Sequence, residues 1–118
     1  MFSEKDLVER SVEDMAAEVK ELLAESERLR VEHEKATEKE MLLRTRSVET
    51  RPADAAAAER LWQEAEELRE SARENLRLSM EKRLRAADVQ HRIDVHDVIE
   101  SMDNSDKVWR KAAGARRG

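Results

Sequence analysis

VERSVEDMAAEVKELLAESERLRVEHEKATEKEMLL, residues 8 to 43, is the stretch whose reading decides the fold. Apolar or small side chains return in it at alternating steps of four and three: Val8, Val12, Met15, Val19, Leu22, Ser26, Leu29, His33, Ala36, Glu40 and Leu43. A helix turns once in about 3.6 residues, so this spacing lays a single stripe along one face, the seam of a coiled coil. One heptad position, held by Val8, Met15, Leu22, Leu29, Ala36 and Leu43, stays apolar throughout. Its companion turns polar at Ser26, His33 and Glu40, as expected where a second helix supplies part of the cover.

Upstream of this stretch, Ser3 followed by Asp6 and then Leu7 and Val8 reads as a helix start, a hydroxyl cap with acids at the positive end. Downstream, no Gly or Pro breaks the pattern before Pro52, which pushes Arg51 out of helical geometry. The sequence therefore predicts a first helix over about 4–47, a turn at about 48–51 and a second helix over about 52–102, with Pro52 in its first turn and Asp54 complementing its dipole. So short a turn permits only an antiparallel return.

In the second helix the apolar line reads Leu61, Ala65, Leu68, Ala72, Leu76, Met80, Leu84, Ala87, His91, Val95 and Val98. Steps of four outnumber steps of three, which predicts local unwinding of the supercoil between Leu68 and Leu84. Folding back at residues 49 to 51 sets Leu43 near Ala57 or Ala58, Leu29 near Ala72 and Leu22 near Met80, large residues over small ones. The expected seam is thus Val12, Met15, Val19, Leu22, Leu29 and Leu43 against Leu61, Leu68, Leu76, Met80 and Leu84.

Beyond the hairpin, Asp103-Asn104-Ser105-Asp106 is a cluster of turn and capping residues. It predicts a polar linker, a short helix from about Asp106 to Ala113 stopped by Gly114, and a basic tail, together residues 103–118. The fold class expected is all-α: two long antiparallel helices in a coiled-coil-like hairpin plus a short C-terminal helix.

Composition agrees with long helices, since Gly occurs twice and Pro once while 43% of residues are charged. So thin a core scarcely offsets the entropy of ordering the chain, and self-association or a helical protein partner is expected. Leu23, Val31, Leu42, Trp62, Leu78, Val89, Ile93 and Ile99 lie off the seam and are expected to form a second, partly exposed face. Trp62, Val108 and Trp109 are the expected partner anchors.

The charges suggest ion pairs along one face at Glu66 and Arg69, Glu70 and Arg73, and Glu74 and Arg77. A net charge of −5 hides a basic end, Lys107, Arg110, Lys111, Arg116 and Arg117, with no acid between them. Those cations suit an acidic protein surface, and nucleic acid is the alternative, with Trp109 stacking on a base.

Enzymatic chemistry has little to stand on. Gly occurs only at positions 114 and 118, so no phosphate loop, dinucleotide fingerprint or nucleophile elbow can be built. Asp88, His91 and Asp94 share a helix face, with His96, Asp97 and Glu100 close behind, but one Asp-x-x-His lacks the matching second motif of a helical di-metal site. His91 reads instead as a seam residue. No catalytic residue, metal ligand or cofactor is expected. The chain has no Cys, and the acidic start lacks the apolar core of a signal peptide or the Arg-rich stretch of a transit peptide. No apolar run approaches the roughly 20 residues of a membrane span, so a soluble protein is expected; the compartment is left open, the lack of Cys favouring an intracellular one.

Overall fold

A computed structural model describes the backbone of residues 4–117 and the side-chain surroundings of residues 12–114. The chain is all-α and consists of α1 (Glu4–Thr50) and α2 (Ala55–Arg117), packed against each other as a hairpin. Two compact units are formed, residues 21–85 and residues 1–20 with 86–118. The proposed cap Ser3 and the side chain of Val8 lie outside the described residues.

The connection falls later in the chain than the sequence reading puts it. α1 continues to Thr50, and Arg51, Pro52 and Ala53 form the turn before Asp54. The amides of Ala53 and Asp54 both donate to the Thr50 carbonyl, at 3.0 and 2.9 Å. Asp54 is the cap of α2 rather than part of its first turn: its Oδ1 accepts from the Ala57 amide at 3.1 Å, satisfying one of the free donors at the helix start. Pro52 thus sits in the turn itself, where its missing N–H costs no helical bond.

Within residues 21–85 the register is set by side chains of α1 that reach the backbone of α2. Ser47 Oγ donates to the Ala58 carbonyl at 2.7 Å, and His33 Nδ1 lies 2.7 Å from the Ala72 carbonyl, so that nitrogen carries the proton. Ser26 and Ser79 exchange bonds, each hydroxyl donating to the other's carbonyl, at 2.9 and 2.8 Å. A helical carbonyl keeps a second lone pair after accepting its own helix bond, which makes it available to such donors. The approach is possible because α2 is small along this line: Ala58, Ala65, Ala72 and Ser79 are all essentially buried. Leu22, Leu29 and Leu43 fill the other heptad position of α1, and in this register the inward α2 residue nearest the level of Leu43 is Leu61 and that nearest Leu29 is Asn75.

That register corrects the expected pairing of Leu43 with Ala57 or Ala58, Leu29 with Ala72, and Leu22 with Met80. The later turn moves every partner toward the C-terminus of α2, and Ala72 meets His33 instead of Leu29. The inward line of α2 also differs from the expected one after Ala72. It runs through Asn75, Ser79 and Lys82, keeping alternating steps of three and four, so the basis for local unwinding disappears. Leu76, Met80 and Leu84 are exposed by 38%, 58% and 70%. Lys82 holds a seam position, half-buried, while its ammonium reaches Glu25, 3.2 Å away.

In the other unit, Val12, Met15 and Val19 are half-buried, and on α2 Ala86, Val89 and Ile93 are buried. Val89 and Ile93 therefore belong to the seam, not to the exposed face expected for them. His91 is exposed rather than in the seam. The separate C-terminal helix is also not formed: α2 passes through Asp103, Asn104, Ser105 and Asp106 without a break and continues to Arg117. Turn propensity of these four residues is a local preference of tenths of a kcal/mol each, and an established helix propagates through it.

Candidate interaction surfaces

Among the described residues, three exposed apolar regions remain once the seam is assigned. The first lies near the turn, where Met41, Leu42 and Val48 on α1 are exposed and Trp62 on α2 is partly so. The Arg44 guanidinium lies over the Trp62 ring, 4.3 Å from its centroid, and bridges Glu40 and Glu66, each at 2.9 Å. Arg44, Thr45, Val48, Glu49 and Trp62 line a shallow open depression. Trp62 is thus held by a cation on one face and remains only partly exposed.

The second region is Leu76, Met80 and Leu84, four residues apart on one side of α2. Leu23 on α1 is exposed as well, by 48%, while Val31 and Leu78 are half-buried. The third lies on α2 from Val95 onward, where Val95, Val98, Ile99, Met102, Val108 and Trp109 are all exposed. Every described side chain from Asp97 to Gly114 is exposed.

The expected seam residues divide accordingly. Leu22, Leu29 and Leu43 are buried, and Val12, Met15, Val19, Leu61 and Leu68 are half-buried. Leu76, Met80 and Leu84 are not seam residues. Lys107, Arg110 and Lys111 are exposed on the helix, Arg110 within 3.5 Å of Asp106, while the side chains of Arg116 and Arg117 lie outside the described residues.

Electrostatics on these helices is chiefly local. Glu74 and Arg77 pair as their spacing suggests, at 2.7 Å, whereas Glu66 reaches across to Arg44. Arg30 bonds both Glu27 and Glu34. The guanidinium hydrogen bonds hold the carboxyl groups of Glu27, Glu66 and Glu74 below the ordinary 4.5. A depressed carboxylate contributes stability that is present above its unfolded value and lost as pH falls through the folded one. Thermal melts between about pH 5 and about pH 3 should therefore show falling stability, with a shallower fall in Glu66→Gln. An equal pH slope in that variant would remove Glu66 from the account. All three carboxylates lie at the exposed surface, so each effect is small.

The acid and imidazole groups expected to share a face are occupied separately. Asp88 pairs with Arg92 at 3.3 Å, and Asp94 accepts from Gln90 Nε2 at 3.0 Å. His96, Asp97 and Glu100 do come together, with His96 Nδ1 4.0 Å from Glu100 Oε2 and potential ligand atoms all within 4.8 Å. They could offer three donors to a divalent cation, but all come from one turn of one helix, and both acids are exposed. Among the described residues no helix is long and apolar enough to cross a membrane.

No protein-family model, curated protein or solved structure matches the chain. Its function must therefore be argued from these surfaces.

Proposed function

We propose that this chain is a non-enzymatic assembly protein that works by helix-on-helix docking, through self-association or as a small subunit or scaffold of a larger complex. The observation that carries this reading is the exposure of Leu76, Met80 and Leu84 beside a seam that is filled without them. Ala58, Ala65, Ala72 and Ser79 pack the inner line of α2, so Met80 and Leu84 contribute little to closing the hairpin, and Leu76 flanks it, partly exposed. Large apolar groups in a row on a water-facing helix mark a surface that another helix covers.

The test is the double variant Met80→Glu, Leu84→Glu, compared with Glu70→Ala, all in the full chain. Helical content and melting should stay close to the parent in both, because surface positions away from special features shift stability by about 0.5 kcal/mol or less. Association should differ. Cross-links from this face to a second copy or to proteins of the host cell should be lost in the double variant and kept in Glu70→Ala. A double variant that keeps every association overturns the assignment of this face.

A further inference from the structure

From Val95 onward the apolar positions of α2 leave the face that α1 covers. The buried or half-buried line is Ala86, Val89, Ile93 and His96, and the same heptad continued would reach Glu100, Asp103, Lys107 and Arg110, every one charged. The hairpin seam therefore ends in sequence terms at His96. A second heptad takes over two residues on: Val95, Val98, Met102, Ser105, Trp109 and Ala112, all apolar or small, at alternating steps of three and four. Two residues are about 200° of rotation, so this stripe lies on roughly the opposite side of the helix from the seam. Its large members are well exposed, from 43% at Val95 to 75% at Trp109.

The charges around the stripe are sorted by sign along the helix. Asp94, Asp97, Glu100, Asp103 and Asp106 precede Lys107, Arg110 and Lys111. Such a segment is complementary to itself when reversed. A parallel copy would set acids on acids and cations on cations, whereas an antiparallel copy sets each acidic half beside a basic half.

We infer that residues 94–113 of α2 are a self-pairing segment, which docks antiparallel on the same segment of a second copy of this chain. The inference rests on the helix-docking reading above and names its partner for this part of α2. In the antiparallel register that centres the charges, Val98 meets Trp109 of the second copy, Met102 meets Ser105 and Val95 meets Ala112. Large residues thus face small ones in two of the three kinds of layer, and the Val98 and Trp109 layers supply most of the apolar contact. The two-fold axis passes near Asp103 and Asn104.

A charge exchange tests this on the full chain. Variant one carries Asp94→Lys, Asp97→Lys and Glu100→Lys, and variant two carries Lys107→Glu, Arg110→Glu and Lys111→Glu. Sedimentation from micromolar to millimolar concentration should show a parental dimer that weakens as salt rises. Each variant alone should self-associate at least about tenfold more weakly, and an equimolar mixture of the two should recover the dimer. For orientation, the absence of native Cys lets a single nitroxide be placed by Ala113→Cys. The two labels should lie about 30 Å apart in the antiparallel pair, against less than about 20 Å in a parallel one.

A chain that is monomeric at every concentration overturns the inference, as does an unrecovered mixture or a short label distance. If self-association survives both charge variants but is lost in Met80→Glu, Leu84→Glu, the tail pairing is wrong and the wider docking reading stands. If neither set of variants changes any association, both fail. A gel shift with a short DNA duplex that is lost in variant two, from a chain that stays monomeric, would instead assign Lys107, Arg110 and Lys111 to a polyanion.

Discussion

Leu29→Asp should unfold the unit formed by residues 21–85 under conditions in which the parent is folded. Leu29 is buried, and its removal forfeits about 2–3 kcal/mol of apolar transfer. The new carboxylate enters a seam with no facing cation, since the inward α2 residue nearest its level is Asn75, and an unpaired buried charge adds several kcal/mol more. A total of about 4 kcal/mol or more is a large part of the 5–15 kcal/mol that holds an ordinary domain. Leu23→Asp provides the contrast, because Leu23 lies on the same helix but is 48% exposed. Urea titrations followed by circular dichroism should give a midpoint near the parent for Leu23→Asp and a largely unfolded baseline for Leu29→Asp. Equal effects would mean that α1 does not face α2 in this register.

The second large effect comes from making a side chain bigger. Ala72→Leu puts three extra carbons at a position only 3% exposed, where the His33 ring comes within 2.7 Å of the backbone carbonyl. The helices must separate or the imidazole must leave, and overpacking of this kind costs about 1–3 kcal/mol. Loss of the His33 hydrogen bond adds about 1 kcal/mol. The melting temperature should fall by about 10 °C or more, given 4–8 °C per kcal/mol for a domain of comparable size. Ala55→Leu, the same change at an exposed position in the first turn of α2, should be close to neutral. A parent-like melt for Ala72→Leu would show that the helices are not held as close as the Ser26, His33 and Ser47 bonds require.

Much of α1 was legible in the sequence because its heptad is written in large side chains. Every position of the stripe from Val12 to Leu43 is buried or half-buried, including the polar ones, Ser26, His33 and Glu40. On α2 the same reasoning failed after Ala72, and the failure has a physical cause. Hydrophobic periodicity follows size, so it moved from Ala72 to Leu76, Met80 and Leu84, whereas the seam follows proximity. A close-packed seam selects what is small enough, and Asn75, Ser79 and Lys82 qualify although none is apolar. A strict count of sevens from Ala58, through Ala65, Ala72, Ser79 and Ala86 to Ile93, would have found the line. The turn was misplaced for a related reason: Pro52 is a conspicuous breaker, but the start of α2 is fixed by the Asp54 cap, whose role emerges only from where its carboxylate points. The exposed faces were legible only in part, since Val89 and Ile93 cannot be sorted from Leu23 and Leu42 until the register is known.

Small residues recur at every seventh position on α2. Ala58, Ala65 and Ala72 are interchangeable to an approaching helix, and a backbone carbonyl is present at each, so Ser47 or His33 would find an acceptor just as well after a slide of one heptad. Of these three seam hydrogen bonds, only the mutual one of Ser26 and Ser79 has no substitute, because the α2 residues one heptad away, Ala72 and Ala86, carry no hydroxyl to return it. In the closed hairpin the short loop forbids sliding, and this uniqueness is redundant. In two chains that open and exchange α2, no loop limits the slide, and the rods behave as a vernier with identical teeth but one. The serine pair is the mark that sets its zero, so replacing both by Ala should leave the monomer readable and the exchanged pair free to stop at more than one length.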